Sequence, residues 1–144
     1  KEVLEELQGK IPGLLKIEVG IDFSRTAFSS DIVLYSEFTD RAVTVVAEHA
    51  PEAIPVLFGH IGEGNLHLNL VRCNVSDETE HALYTAMMAL IADCGGNVSS
   101  EHGVGTRKRD YLTMSRTDSD IATMRTVKAA FDPDGYLNPA VLFR

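Results

Sequence analysis

A chain of 144 residues, 44% hydrophobic and 24% charged, can bury roughly two-thirds of its unfolded surface, which is enough for one packed domain. Its formal net charge of −8 repels a phosphate backbone, and its basic residues are scattered except for Arg107, Lys108 and Arg109, so a nucleic-acid partner is not expected. No apolar run approaches the roughly 18 residues of a membrane span, no signal peptide is recognisable, and the two cysteines, Cys73 and Cys94, form no metal or disulfide pattern. The expected setting is the cytoplasm, with both thiols reduced and used for packing. The chain opens on Lys1 rather than Met, as an excerpt or a processed chain would.

Leu4, Leu7 and Ile11 are spaced for a short helix that Pro12-Gly13 turns. Leu15, Ile17, Val19, Ile21 and Phe23 then alternate with Lys16, Glu18, Gly20 and Asp22, the period-2 signature of a strand with one buried face. Residues 32–38 predict a second strand, and Asp40 a cap for a helix running to about His49. Residues 55–58 form a short apolar run, and Leu66, Leu68 and Leu70 alternate along the next strand after a glycine turn. Asp77 and Glu80 predict a capping box for a helix whose stripe is Leu83, Met87, Leu90, Ile91 and Cys94, stopped at Gly95-Gly96. Ile121, Met124, Val127 and Phe131 mark a last helix, ended by Asp132-Pro133-Asp134-Gly135. Strands interleaved with helices predict an α+β fold of ferredoxin-like sandwich type, an antiparallel sheet with helices on one face. No linker separates residues 1–54 from 55–144, so a single domain is expected.

Residues 58–67 can be folded on paper, because Glu63-Gly64 suits the centre of a two-residue hairpin turn. Gly62 then faces Asn65, Ile61 faces Leu66 and His60 faces His67, which puts two imidazoles on one sheet face about 5 Å apart at Cβ. Asn65, His67 and Asn69 share that face and the leucines take the other. Two imidazoles offer two ligands to a divalent metal such as zinc, and a carboxylate would complete a set that leaves a position for substrate. Glu101, in the glycine-flanked run Ser99 to Gly105, is the candidate third ligand. His102 beside it can take a proton near neutral pH. A cross-strand histidine pair can equally be simple packing, and Glu-His among glycines a surface turn. Arg107, Lys108 and Arg109 can hold a substrate carboxylate or form a solvated basic turn. Gly59-x-x-Gly62-x-Gly64 opens a hairpin rather than a helix and does not read as a dinucleotide cradle.

Three ordered motifs resemble one family. Gly59-His60-Ile61-Gly62-Glu63-Gly64-Asn65-Leu66-His67, Ser100-Glu101-His102-Gly103-Val104-Gly105 with Lys108-Arg109, and Phe131-Asp132-Pro133-Asp134-Gly135-Tyr136-Leu137-Asn138-Pro139 are similar to the C-terminal domain of FAD-linked oxidases. That group includes glycolate oxidase subunits, D-lactate dehydrogenases and D-2-hydroxyglutarate dehydrogenases. The resemblance spans residues 55–144. It implies a divalent metal on His60, His67 and Glu101, His102 as the base toward a small 2-hydroxy acid, and Asn65, Arg107, Lys108 and Asn138 near substrate or flavin. It also implies FAD as hydride acceptor, held by a separate FAD-binding domain that this chain does not contain, so the chain alone is expected not to turn over. The tail departs from the family, with Ala140-Val141 where glycine and lysine are usual. Residues 1–52, through Lys10-Ile11-Pro12-Gly13, Glu18-Val19-Gly20 and the segment 33–38, resemble instead the stress-responsive dimeric A/B-barrel family, as a fusion or chimera would. That second resemblance implies a homodimer through sheet faces, and a non-catalytic dimeric α/β barrel is the alternative function. A stand-alone metal-dependent hydrolase or lyase is a third.

Overall fold

The computed structural model describes residues 15–20, 28–60 and 64–143. The expected first helix, the turn at Pro12-Gly13 and the turn residues Ile61, Gly62 and Glu63 lie outside them. The described elements are β1 (Leu15–Gly20), α1 (Phe28–His49), β2 (Ile54–His60), β3 (Asn65–Val71), α2 (Asp77–Asp93), the short α3 (Gly105–Lys108) running into a 3-10 helix (Arg109–Met114), and α4 (Asp118–Phe131). The sheet is antiparallel in the order β1-β3-β2, which makes the fold α+β and puts β3 at its centre.

Leu66, Leu68 and Leu70 of β3 are fully buried and build the core with Phe38, Ala42 and Val46 of α1 and Leu83, Met87, Met88 and Ile91 of α2. Period-2 alternation in the strand and period-3.6 stripes on the helices thus meet on one side of the sheet. On the other side, Ile54 and Val56 of β2 remain 46% and 41% exposed. Helices therefore cover one face, and the second face carries the polar residues of β3. Cys73 is buried and Cys94 partly so, both as free thiols, and burial raises the pKa of each.

Three local expectations are corrected. Residues 32–38 are not a strand but lie within α1, a 22-residue helix, and Asp40 sits exposed inside it, its carbonyl accepting from Thr44 Oγ1 at 3.0 Å. The β-branched run was outweighed by a longer helical period: Phe38, Ala42 and Val46 recur every four residues and are at most 1% exposed. The second correction concerns the start of α2. Its N-cap is Ser76, whose hydroxyl accepts from Thr79 N at 3.2 Å, and Asp77 is its first helical residue. The stop is as expected: Gly95 takes φ +70° while Gly96 N donates to Ile91 O and Gly95 N to Ala92 O.

The third correction is the hairpin register. His60 pairs with Asn65, Gly59 with Leu66 and Phe58 with His67, so four residues, 61–64, link the strands instead of two. This pairing requires glycine at 59, since a Cβ there would stand 2.0 Å from the Asn65 carbonyl oxygen. Gly64, at φ +66°, supplies the left-handed residue that leads into β3. A shift of two residues keeps every side chain on its face, whereas a shift of one would have reversed them.

Helix α4 is capped by Thr117 and Asp120, each side chain bonded to the other's backbone N–H. None of its residues is buried, and Val127 and Phe131 are 51% and 83% exposed. The tail folds back on its end. Asp132 accepts from Tyr136 N and Leu137 N, both at 2.9 Å, and pairs with Lys128 Nζ, and these contacts hold its carboxyl below the usual range, the lysine bond contributing most.

A candidate site on the open sheet face

The chain reaches this face from two directions. The hairpin brings His60, Asn65 and His67, and the segment between α2 and α3 brings Ser100, Glu101 and His102. That segment is tied to the fold by Val98, which is fully buried, and by Asn97 Oδ1, which accepts from Ser99 N at 3.2 Å and Ser115 Oγ at 3.4 Å. Gly103 and Gly105, at φ +77° and +56°, let the backbone turn away into α3 immediately after His102.

Glu101 is the centre of the cluster. Its Oε1 lies 3.8 Å from His60 Nδ1 and accepts from Asn65 Nδ2, while its Oε2 lies 3.8 Å from His67 Nε2 and 3.9 Å from His102 Nε2. Three imidazoles therefore surround one carboxylate. They differ in surroundings: the His67 side chain is 6% exposed, His102 38% and His60 63%. His67 stacks on Phe58 with ring centroids 5.0 Å apart and tilts against His102 at 6.1 Å. The cross-strand neighbour of His67 is thus an aromatic ring rather than the second histidine, which stands two pairs further along. Among the described residues no group of three or more His, Cys, Asp or Glu side chains is drawn together as a metal cluster.

Asn69 also lies on this face of β3. It is 4% exposed, and its Oδ1 has no hydrogen-bond partner among the described residues. The alternation Asn65, His67, Asn69 in the sequence is the signal that places it here.

Arg107 and Asn138 have their described surroundings elsewhere. Arg107 donates to Glu80 Oε1 at 2.6 Å and lies 5.3 Å from the centroid of the Tyr84 ring, beside a cavity of 630 Å³ at the start of α2. Lys108 is buried at the end of α3. Asn138, at φ +47°, lines a separate cavity between α4 and the tail. Arg109 donates to the Ala140 carbonyl and so holds the tail. No described helix is long and apolar enough to cross a membrane.

Comparison with known proteins identifies the family. The family described as FAD linked oxidases, C-terminal domain, matches residues 26–142, which takes in α1 and part of the segment whose sequence resembled an A/B barrel. A D-2-hydroxyglutarate dehydrogenase of Stutzerimonas stutzeri is 43% identical over 111 residues, 74% of this chain and 24% of that protein. A mitochondrial D-2-hydroxyglutarate dehydrogenase of Rattus norvegicus is 42% identical over 101 residues, 69% and 19%. A D-2-hydroxyglutarate–pyruvate transhydrogenase of Saccharomyces cerevisiae is 38% identical over 82 residues, 57% and 16%. The chain spans about a quarter or less of the length of the curated relatives it matches. With the family matched over most of its length, the chain belongs to the C-terminal domains of FAD-linked oxidases.

Proposed function

We propose that the chain is the substrate- and metal-binding domain of an FAD-dependent 2-hydroxy-acid dehydrogenase. The observation that carries this reading is the convergence of His60, His67 and His102 on the Glu101 carboxylate. The donor set suits a divalent cation, since two imidazoles approach opposite oxygens of one carboxylate, and drawing them into a common shell requires adjustment chiefly of the exposed His60. His60, His67 and Glu101 would hold the ion. When bound, it supplies a Lewis acid toward a hydroxyl and carboxylate of the substrate.

The chain's own groups then have defined tasks. The proton of the substrate hydroxyl passes to the His102 imidazole, and the Glu101 carboxylate, 3.9 Å from His102 Nε2, lies beside the positive charge that forms. Asn69 Oδ1, a buried acceptor on the same face, suits a hydroxyl donor. The family implies FAD as the hydride acceptor, while Gly59 and Gly64 serve a strand-to-strand connection. An FAD-binding domain is the partner that the family implies for this domain. Because relatives carry the name D-2-hydroxyglutarate dehydrogenase, D-2-hydroxyglutarate is the first substrate to test.

Elemental analysis of protein purified without chelator tests the metal assignment. One divalent ion per chain is expected, and it is lost in a His60→Ala and His67→Ala double variant; full occupancy in that variant refutes the site. A homodimer through the open sheet face is a second reading, favoured by the exposure of Ile54 and Val56, and light scattering at the monomer mass excludes it.

A further inference from the structure

Resting on the cation-site reading above, we infer that Asn65 and Ser100 are positioning residues that fix the rotamer of Glu101 and decide which of its oxygens is presented to His67 and His102. The resemblance gives Asn65 a place near substrate and flavin and gives Ser100 no role. The geometry makes them a short relay. Asn65 is 3% exposed at the start of β3, its Nδ2 donates to Glu101 Oε1, and its Oδ1 accepts from Ser100 Oγ at 3.1 Å.

The direction of each bond follows from what each group can do. A carboxylate only accepts, so the amide nitrogen must face Glu101 and the amide oxygen must face Ser100, whose hydroxyl therefore donates. Both the oxygen and the nitrogen of the Asn65 amide are thus committed to protein partners.

Glu101 has need of such support. It lies outside any helix or strand, two residues before a glycine in the left-handed region, so its backbone alone leaves the carboxylate several rotamers. Asn65 is anchored in the central strand, paired with His60 on one side and Gly20 on the other. Its amide transfers the rigidity of the sheet to the loop carboxylate. With Oε1 held by the amide, Oε2 is turned toward His67 and His102. Groups that orient a ligand in this way typically change cation affinity by about 10- to 100-fold when removed.

The test uses the full 144-residue chain with Co²⁺ as probe, reading affinity by calorimetry and ligand geometry by the visible absorption bands. Asn65→Ala is expected to weaken Co²⁺ binding about 10- to 100-fold and to shift the bands. Ser100→Ala is expected to give a smaller loss of the same sign with an unchanged Tm, because Ser100 is exposed. Ser100→Thr, which keeps the hydroxyl, should restore wild-type affinity. Wild-type affinity and spectrum in both alanine variants overturn the inference. If the wild-type chain binds no Co²⁺, the cation reading alone falls, and the Asn65 side-chain amide signal of the metal-free protein decides the positioning role. That signal should move on Ser100→Ala and on Glu101→Gln, and a signal unmoved by both overturns the relay.

Discussion

Gly59→Ala is the most telling single perturbation, because one methyl group tests both the hairpin register and the site that depends on it. A Cβ at residue 59 would lie 2.0 Å from the Asn65 carbonyl oxygen and 3.0 Å from Asn65 C and Leu66 Cα. Ordinary contact begins near 3.4 Å, so the strands must separate locally by roughly 1.4 Å or break a ladder bond. All three obstructing atoms are backbone of the central strand, and no rotamer change relieves them. Overpacking of this kind costs about 1–3 kcal/mol, and in a chain of this size each kcal/mol lowers Tm by about 2–4 °C. The displaced segment also carries His60 and Asn65, so on the proposed cation-site reading Co²⁺ affinity should fall together with stability. Urea unfolding followed by far-UV circular dichroism measures the first effect and calorimetry the second, with the exposed Val56→Ala as a control on the same strand. Stability within about 0.5 kcal/mol of wild type would mean that β2 and β3 do not approach as described at Gly59.

Three further outcomes are expected. Ser76→Ala should destabilise by about 0.5–2 kcal/mol in urea unfolding, while Asp77→Ala should cost less, since Ser76 and not Asp77 caps α2. Ala140, at φ +58°, occupies a conformation that costs an L-residue about 1–2 kcal/mol, so Ala140→Gly should be neutral to stabilising despite the entropy glycine adds to the unfolded chain, as thermal unfolding will read. Asp132 has a lowered pKa in the folded chain, chiefly through Lys128 and then the Tyr136 and Leu137 amides, so its contribution is fully present above about pH 4 and is lost as pH falls through the folded value. Amide exchange at Tyr136 and Leu137 should therefore lose protection below pH 4 in the wild type and already at neutral pH in Asp132→Ala.

Much of the site was legible because its geometry follows from strand parity. Once residues 65–71 are read as a strand, Asn65, His67 and Asn69 must share a face and the three leucines must share the other. That conclusion survives the two-residue difference in register. Glycines beside Glu101 and His102 likewise announce a turning backbone, and the helix with Leu83, Met87 and Ile91 on one stripe is strong enough to be read without context. What was misread has local causes. Residues 32–38 are rich in β-branched and aromatic side chains, and their helical state is set by continuity with Phe38, Ala42 and Val46, which only the packed sheet surface rewards. The turn at Glu63-Gly64 satisfied a simple hairpin rule, while the observed register sets Gly59 so close to the facing backbone that only glycine fits, a contact invisible without the facing strand.

By itself the sequence determined the α+β class, the polar and apolar faces of β3 and a set of residues with donors suited to a cation, because periodicity and side-chain donors are properties of the chain alone. Tertiary structure decided which of those residues meet. It set His67 against Phe58, brought Glu101 between three imidazoles, tied Asn65 to Ser100 and drew Arg107 away to Glu80. Those choices depend on how a loop 35 residues away in sequence settles on the sheet, and no local propensity encodes that distance.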